Sequence, residues 1–170
     1  EGAGEAMVGE TIDFDGDAYI DLFAATGRLN SMTEGTVTAW FATNGRRGGN
    51  GAWSDMTILS ASDRDDEESE LRLMVRDTGQ LRFLVRNDGT SILDLYTEEI
   101  FRDPDIGQPD EWHHVAVMVD GNATTIYVDG AETKVLGEAN GTRGFFADVE
   151  NIDSVAIGRH FSSDTSKSDI

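Results

Sequence analysis

Four arginines alternate with apolar residues along two short segments, Leu71–Arg76 and Leu81–Asn87. Apolar residues at every second position predict two strands of a hairpin, turning about Asp77-Thr78-Gly79-Gln80, with the apolar side chains on the core. The arginines then share the opposite face, and the register that keeps both apolar sets inside pairs them with each other. The predicted pairs are Arg76 with Arg82 and Arg72 with Arg86. Because like charges directly opposite one another are unfavourable, this pattern predicts an anion nearby.

Two kinds of anion would satisfy these arginines. An acid of a neighbouring strand, such as Asp94 or Glu98, is the interpretation that we favour. The alternative is an acidic ligand, such as a uronate or a sulfated glycan, which guanidinium groups can bind in bidentate fashion. Arg72, Arg76, Arg82 and Arg86 are therefore candidate ligand-binding residues.

A second candidate lies in the most glycine-rich segment, Asn44–Trp53, which is predicted to be a loop. Trp53 ends this loop, and Arg46 and Arg47 lie within it. An aromatic ring flanked by arginines could stack on a sugar ring and hold its charged substituents. The alternative is that Trp53 folds back and covers one end of the core.

An acidic turn offers a possible metal site. Asp13, Asp15, Asp17 and Asp21 are crowded into one predicted strand–turn–strand. Calcium takes six to eight oxygen ligands from carboxylates and backbone carbonyls in irregular loops, and Asp15-Gly16-Asp17 can supply both kinds. The alternative is an acidic turn without a metal, in a chain where 33 of 170 residues are acidic.

The composition limits the possible functions. The net charge is −20, which argues against nucleic-acid binding because that needs a basic face. The acidic surface serves solubility, or alternatively reflects adaptation to high salt. Cysteine is absent, so disulfides and thiolate metal sites are impossible. No apolar run approaches the ~20 residues of a membrane-spanning helix, so no membrane insertion is expected.

The elements that must position these residues are short strands. Trp112–Val119 and Thr124–Val128 flank Asp120-Gly121-Asn122, a sequence typical of a hairpin turn. The first of these strands is apolar on both faces, which predicts a central strand covered on both sides. Many short strands without helical periodicity predict an all-β, two-sheet antiparallel sandwich. The predicted core residues are Leu73, Val75, Phe83, Val85, Trp112, Val117, Ile126 and Val128.

Four segments together resemble a known family. They are IDFDGDAYIDL (Ile12–Leu22), TVTAWF (Thr36–Phe41), WHHVAV followed by IYVDG (Trp112–Gly130), and SVAIGRH (Ser154–His160). Their order resembles the laminin-G-like, concanavalin A-like jelly-roll domains. The resemblance implies that Trp40 and Trp112 lie in the core, and that Asp15 and Asp17 match the position of a structural calcium. The family's closing strand has no counterpart after Ile157.

Many jelly rolls of this type are glycoside hydrolases, which need two carboxylates facing each other across a cleft. The Glu-x-Asp-x-x-Glu pattern of the sandwich hydrolases is absent from the sequence. His113 and His114 are adjacent and therefore lie on opposite faces of a strand, so they cannot act together as a catalytic pair. The sequence thus argues against an enzyme.

Residues 1–170 are predicted to form one domain, or alternatively a fragment of one that lacks the closing strand. We expect a non-catalytic extracellular or cell-surface recognition and adhesion module that binds a glycan, with calcium as the candidate cofactor. The alternative is a structural subunit that decorates a surface filament or shell and binds neighbouring subunits. Because the closing strand is missing, we also expect the edge beside Val155–Ile157 or Thr11–Phe14 to be completed by residues outside this sequence.

Overall fold

The structure is a computed structural model that describes residues 11–14, 18–43, 55–66, 68–101, 112–137 and 143–161. In this part of the chain the helical segments are short. A 3-10 turn at Phe23–Ala25 runs into helix α1 (Thr26–Leu29), and a second 3-10 turn covers Phe146–Asp148. The rest of the regular structure is β-strand.

The strands alternate with turns and short loops along the whole described chain. They are β1 (Ile20–Asp21), β2 (Gly35–Phe41), β3 (Met56–Ser62), β4 (Glu70–Val75), β5 (Gln80–Asn87), β6 (Thr90–Glu99), β7 (His113–Val119), β8 (Thr124–Val128), β9 (Ala131–Glu132), β10 (Val135–Leu136) and β11 (Ser154–Ile157).

Two sheets form from these strands. The larger has seven strands in the order β1-β11-β3-β4-β5-β6-β10, and the smaller has four in the order β2-β7-β8-β9. Neighbouring strands are antiparallel throughout both sheets. The predicted all-β, two-sheet antiparallel sandwich is confirmed.

The core lies between the two sheets and follows the period-2 pattern of the strands. Seven of the eight predicted core residues are buried: Leu73, Val75, Phe83, Val85, Val117, Ile126 and Val128. Phe145 and Phe146 add a pair of buried rings whose centroids lie 4.8 Å apart. The alternation of apolar residues was therefore a reliable guide to which strand face is inside.

The eighth core prediction, Trp112, is wrong, and so is the implied burial of Trp40. Trp112 is 41% exposed and Trp40 is 53% exposed. Both have the parity of side chains that point away from the core. β7 does lie centrally, between β2 and β8, but its outward side chains His114, Ala116 and Met118 are only half-buried. β7 is therefore apolar on both faces of the strand, but only residues on its inward face are fully buried.

The predicted register of the arginine hairpin is also wrong. Arg82 pairs with Met74, Arg86 with Glu70, and Arg72 with Leu84. The cause is a three-residue loop, Asp77–Gly79, in which Gly79 has a φ of 78° and Arg76 N donates to Gln80 O at 2.8 Å. This common loop type sets the pairing two residues away from the predicted one, so the like-charge pairs Arg76–Arg82 and Arg72–Arg86 do not form.

The prediction of an open edge at Val155–Ile157 is wrong as well. β11 pairs with β3 on one side and with β1 on the other, so Ile20 and Asp21 occupy the position that we expected to be empty. Thr11–Phe14 belongs to neither sheet.

Replacing the central ring of this core should be costly, since Phe83 is fully buried. We expect Phe83→Ala to lower the free energy of unfolding by about 3–5 kcal/mol, because the substitution removes apolar contacts and leaves a cavity. Phe23→Ala is the matched control, since Phe23 is 58% exposed. Urea denaturation followed by circular dichroism measures both variants, and equal stabilities of the two would contradict the assignment of the core.

Candidate ligand-binding face of the larger sheet

The side of the seven-stranded sheet that faces away from the core carries most of the charged residues predicted to bind a ligand. We call it the outer face. It presents Ser60 and Ser62 on β3, Glu70 and Arg72 on β4, Arg82 and Arg86 on β5, and Asp94 on β6. The predicted arginines Arg72, Arg82 and Arg86 are thus brought to one surface, as the alternating pattern required.

Glu70 lies at the centre of this face and is 1% exposed. Its Oε1 lies 2.7 Å from an Nη of Arg86, and its Oε2 lies 3.6 Å from Nε of Arg72. Nε2 of His160 lies 2.9 Å from the same Oε2. One buried carboxylate therefore meets two guanidinium groups and an imidazole.

These neighbours decide the protonation state of Glu70. Burial alone would raise its pKa, because a carboxylate loses solvation in the protein interior. The close contact with His160 and the charges of Arg72, His160 and Arg86 outweigh burial and lower the pKa of Glu70 from 4.5 to about 2. Glu70 is therefore ionised at neutral pH and acts as a fixed negative charge.

Arg82 is engaged by an acid of the neighbouring strand. Its Nε and one Nη each lie 2.7 Å from an oxygen of Asp94, in a bidentate pair. This hydrogen bonding raises the pKa of Arg82. Asp94 was one of the two acids expected near the arginines, whereas Glu98 pairs with Lys134 at 3.1 Å. For Arg82, the anion inferred from the sequence is therefore a side chain of the protein.

Arg76 lies at the end of the hairpin. It donates to Oε1 of Gln80 at 3.1 Å, and its guanidinium carbon lies 5.8 Å from the centre of the Tyr96 ring. Arg76 thus belongs to the same face but contacts a neutral amide and an aromatic ring.

The chain that follows β11 crosses the outer face. Gly158 has a φ of 81°, and a Cβ at this position would run into the ring of Phe14, so the turn requires glycine. Beyond it, Ser60 Oγ donates to Arg159 O at 2.6 Å and Ser62 Oγ donates to Phe161 O at 2.9 Å. Together with the contact of His160 to Glu70, these hydrogen bonds hold residues 159–161 against β3.

This anchored segment builds a cluster that the sequence did not predict. The guanidinium carbons of Arg64 and Arg159 lie 4.7 and 5.0 Å from the centre of the Phe161 ring. Arg159 also lies 5.2 Å from the centre of the Tyr19 ring, and the two aromatic rings meet edge to face at 5.1 Å. We call Tyr19, Arg64, Arg159 and Phe161 the arginine–aromatic cluster.

The two guanidinium groups of this cluster differ from those around Glu70. Neither Arg64 nor Arg159 forms an ion pair with a carboxylate in the described part of the chain. Nε of Arg159 is buried and meets no acceptor among the described residues. Arg64 is exposed and Tyr19 is 39% exposed, so the cluster is open to solvent. Among the described residues, its positive charge is therefore not balanced by an ion pair.

The sequence carried little signal for this cluster. Arg64 lies in the acidic stretch Ser62–Ser69, where pairing with a neighbouring acid is the natural expectation. Arg159 follows the last strand in a motif that indicated only the fold. The four residues are brought together by the turn at Gly158 and by the edge strand β1, which are tertiary features.

Five predicted site residues lie outside the described residues. They are Asp15, Asp17, Arg46, Arg47 and Trp53. Within the described ranges, no group of three or more His, Asp and Glu side chains could hold a metal ion. The calcium site at Asp15 and Asp17 stays a prediction.

The family of the chain is clear from comparison with known proteins. The sequence profile of the concanavalin A-like lectin/glucanases superfamily matches residues 14–168. The chain therefore belongs to this superfamily, and the resemblance seen in the sequence is confirmed. No curated protein matches the sequence significantly.

Solved structures with the same fold include carbohydrate-binding modules. The CBM40 module of the Ruminococcus gnavus IT-sialidase bound to α2,6 sialyllactose is 19% identical, with a TM-score of 0.67 over 85% of this chain and 76% of that one. The same module bound to α2,3 sialyllactose gives 18% identity and a TM-score of 0.66, covering 85% of this chain and 75% of that one.

A longer enzyme contains the same fold as a part. The NanB sialidase of Streptococcus pneumoniae is 18% identical, with a TM-score of 0.68 over 89% of this chain but 22% of the enzyme. At these identities the likeness concerns the fold.

The described residues include no helix that is long and apolar enough to span a membrane.

Acid should weaken the fold through Glu70. Its folded-state pKa is lowered, so its contribution to stability is complete above pH 4.5 and is lost as the pH falls towards about 2. A shift of this size corresponds to about 3 kcal/mol. We expect Glu70→Gln to lack this part of the pH dependence. It should be less stable at pH 7 by about 3–5 kcal/mol, because Arg72 and Arg86 lose the buried carboxylate that they share. Urea denaturation at several pH values measures both effects.

Glu132→Gln is the control for this experiment, because Glu132 lies exposed on β9. It should keep the pH dependence of the wild type. Wild-type stability that stays level between pH 5 and pH 2 would contradict the role assigned to Glu70.

Proposed function

We propose that this protein is a non-catalytic carbohydrate-binding module for glycans that carry a carboxylate, such as a sialic acid or a uronic acid. The observation that carries this proposal is the arginine–aromatic cluster. Arg64 and Arg159 contact one aromatic ring and have no ion pair with a described carboxylate. Arg64 is exposed, and Arg159 is half-buried.

The chemistry of the cluster suits an acidic sugar. A guanidinium group presents parallel N–H donors that match the two oxygens of a carboxylate. Stacking against Phe161 holds the guanidinium planes in place before the ligand arrives, which reduces the ordering cost of binding. The Tyr19 ring beside them offers an apolar surface for the C–H groups of the sugar.

The overall charge of the chain favours a ligand with few charges. At a net charge of −20, a densely sulfated chain would be repelled over the Debye length of about 8 Å at physiological salt. A glycan with a single carboxylate at its end places its charge within the cluster and little charge elsewhere. A sialylated or singly uronylated glycan is therefore favoured over a sulfated one.

The carboxylates of the outer face are poor candidates for catalysis. A general acid needs a raised pKa so that it keeps a proton at neutral pH. Glu70 instead has a pKa lowered to about 2, and Asp94 is held in a bidentate pair with Arg82. A hydrolase mechanism on this face is disfavoured for that reason.

The fold supports this proposal independently of the site. Carbohydrate-binding modules of the same fold occur in complexes with α2,3 and α2,6 sialyllactose. Such ligands occur on cell surfaces and in secretions, so we propose an extracellular or surface location and a role in recognition or adhesion. Calcium dependence through Asp15 and Asp17 is part of the proposal and awaits its own test.

Titration calorimetry with 3′-sialyllactose and 6′-sialyllactose tests the proposal, with lactose as the uncharged comparison. We expect saturable binding of at least one sialylated sugar and none of lactose. Arg159→Ala and Arg64→Ala should each weaken binding by roughly 10- to 100-fold, since a hydrogen bond to a charged group contributes about 1.5–3 kcal/mol. Arg28→Ala is the matched control, because Arg28 is an exposed arginine on α1.

Two results would refute the assignment. One is that neither sialyllactose nor a glucuronate-terminated oligosaccharide binds to the wild-type chain. The other is that Arg64→Ala and Arg159→Ala both bind as tightly as Arg28→Ala.

Calcium is tested by the melting temperature of the chain with and without the ion. If calcium binds at Asp15 and Asp17, added calcium should raise the melting temperature, because a ligand that binds only the folded state stabilises it. The double variant Asp15→Asn, Asp17→Asn should lose this response. Equal melting temperatures in calcium and in a chelator would rule out the metal site.

A further inference from the structure

The outward side of the smaller sheet is unusually aromatic. Trp40 on β2 is 53% exposed, and Trp112, just before β7, is 41% exposed. The Trp40 ring packs against His114 of β7 with ring centroids 5.1 Å apart. Tyr127 on β8 is half-buried on the same side. We call Trp40, Trp112, His114 and Tyr127 the aromatic face.

The strand register places these side chains on one surface. Trp40 is directly opposite His114, and Thr38, Ala116 and Tyr127 form the next row across the sheet. Trp112 has the parity of His114, so it points outward as well. Trp40 and Tyr127 lie two strands and two residues apart, which corresponds to roughly 12 Å between their Cα atoms. A short oligosaccharide can span this distance.

Hydroxyl groups lie among the rings. Thr36 and Thr38 are exposed on β2, and Thr125 is half-buried on β8. A pyranose presents C–H groups on its faces and hydroxyl groups at its edge. Aromatic rings can contact the C–H groups, and the threonine hydroxyls can hydrogen-bond to the sugar hydroxyls. An apolar partner would leave these threonine hydroxyls without hydrogen bonds.

The charge distribution narrows the choice of partner. The outward side chains of β2, β7 and β8 include no Asp, Glu, Lys or Arg, although the chain has a net charge of −20. Acids lie around the border: Asp129 beside β7, Glu132 on β9, and Asp120 at the β7–β8 turn. An uncharged surface inside an acidic border disfavours anions, and it disfavours a second copy of the chain because two acidic borders would meet.

We propose that the aromatic face binds an uncharged, extended oligosaccharide. The rings of Trp40, Trp112 and Tyr127 contact the apolar faces of successive sugars, and the threonine hydroxyls bind the sugar hydroxyls. This site is separate from the arginine–aromatic cluster, since the two lie on the outward sides of different sheets. The module then carries one site for an acidic sugar and another for a neutral chain.

The test uses the full 170-residue chain and three probes: cellohexaose, xylohexaose and chitohexaose. Proton–nitrogen NMR spectra follow the indole N–H signals of the three tryptophans during each titration. At least one probe should shift the Trp40 and Trp112 signals in a saturable way. Trp40→Ala should weaken binding at least tenfold. Thr38→Glu, which adds a charge to the middle of the face without removing packing, should do the same.

Two control variants separate this site from others. Phe23→Ala removes an exposed aromatic residue elsewhere and should bind the probe as the wild type does. Arg159→Ala should also retain the neutral probe, while Trp40→Ala should retain any binding of sialyllactose. These controls make the test of the neutral-glycan site independent of the test of the acidic-glycan site.

Three outcomes would overturn the inference. The first is that none of the three probes gives saturable shifts at Trp40 or Trp112. The second is that Trp40→Ala and Thr38→Glu both bind like the wild type. The third is a concentration-dependent dimer in sedimentation equilibrium that either substitution abolishes, because the face would then be an interface between copies.

Discussion

The outer face of the larger sheet depends on one buried negative charge. Glu70 is almost completely inaccessible, yet it stays ionised because Arg72, Arg86 and His160 surround it. Its contact with His160 ties the chain after β11 to the sheet, and that chain carries Arg159 and Phe161. If Glu70 were neutral, Arg72, Arg86 and His160 would each lose a charged partner, and the segment that builds the arginine–aromatic cluster would lose an anchor.

This arrangement separates structural arginines from those that can bind a ligand. Arg82 is in a bidentate pair with Asp94, and Arg86 lies 2.7 Å from Glu70, so both charges are balanced within the protein. Arg64 and Arg159 instead contact an aromatic ring, which orients their guanidinium groups without neutralising them. In a chain with a net charge of −20, two such arginines on one aromatic ring favour a role in binding an anion.

The fold was predictable because strand patterning is local, whereas the site depends on tertiary contacts. Alternating apolar residues identified Leu73, Phe83 and Val117 as core. The burial of Trp40 and Trp112 was implied by the family resemblance and was wrong, although their parity pointed away from the core. The predicted register of the arginine hairpin was wrong because Gly79, with its positive φ, allows a three-residue loop. The cluster around Phe161 joins residues from 19 to 161 and had no sequence signature.

The measurement that most directly tests this account is proton–nitrogen NMR of the arginine Nε–Hε groups during titration with sialyllactose. The account predicts that the signals of Arg64 and Arg159 shift and saturate together, while the signal of Arg82 stays in place because Asp94 already holds it. Lactose should leave all of them unchanged. Shifts confined to Arg82, or none at Arg64 and Arg159 at saturating ligand, would contradict the claim that this cluster binds the acidic sugar.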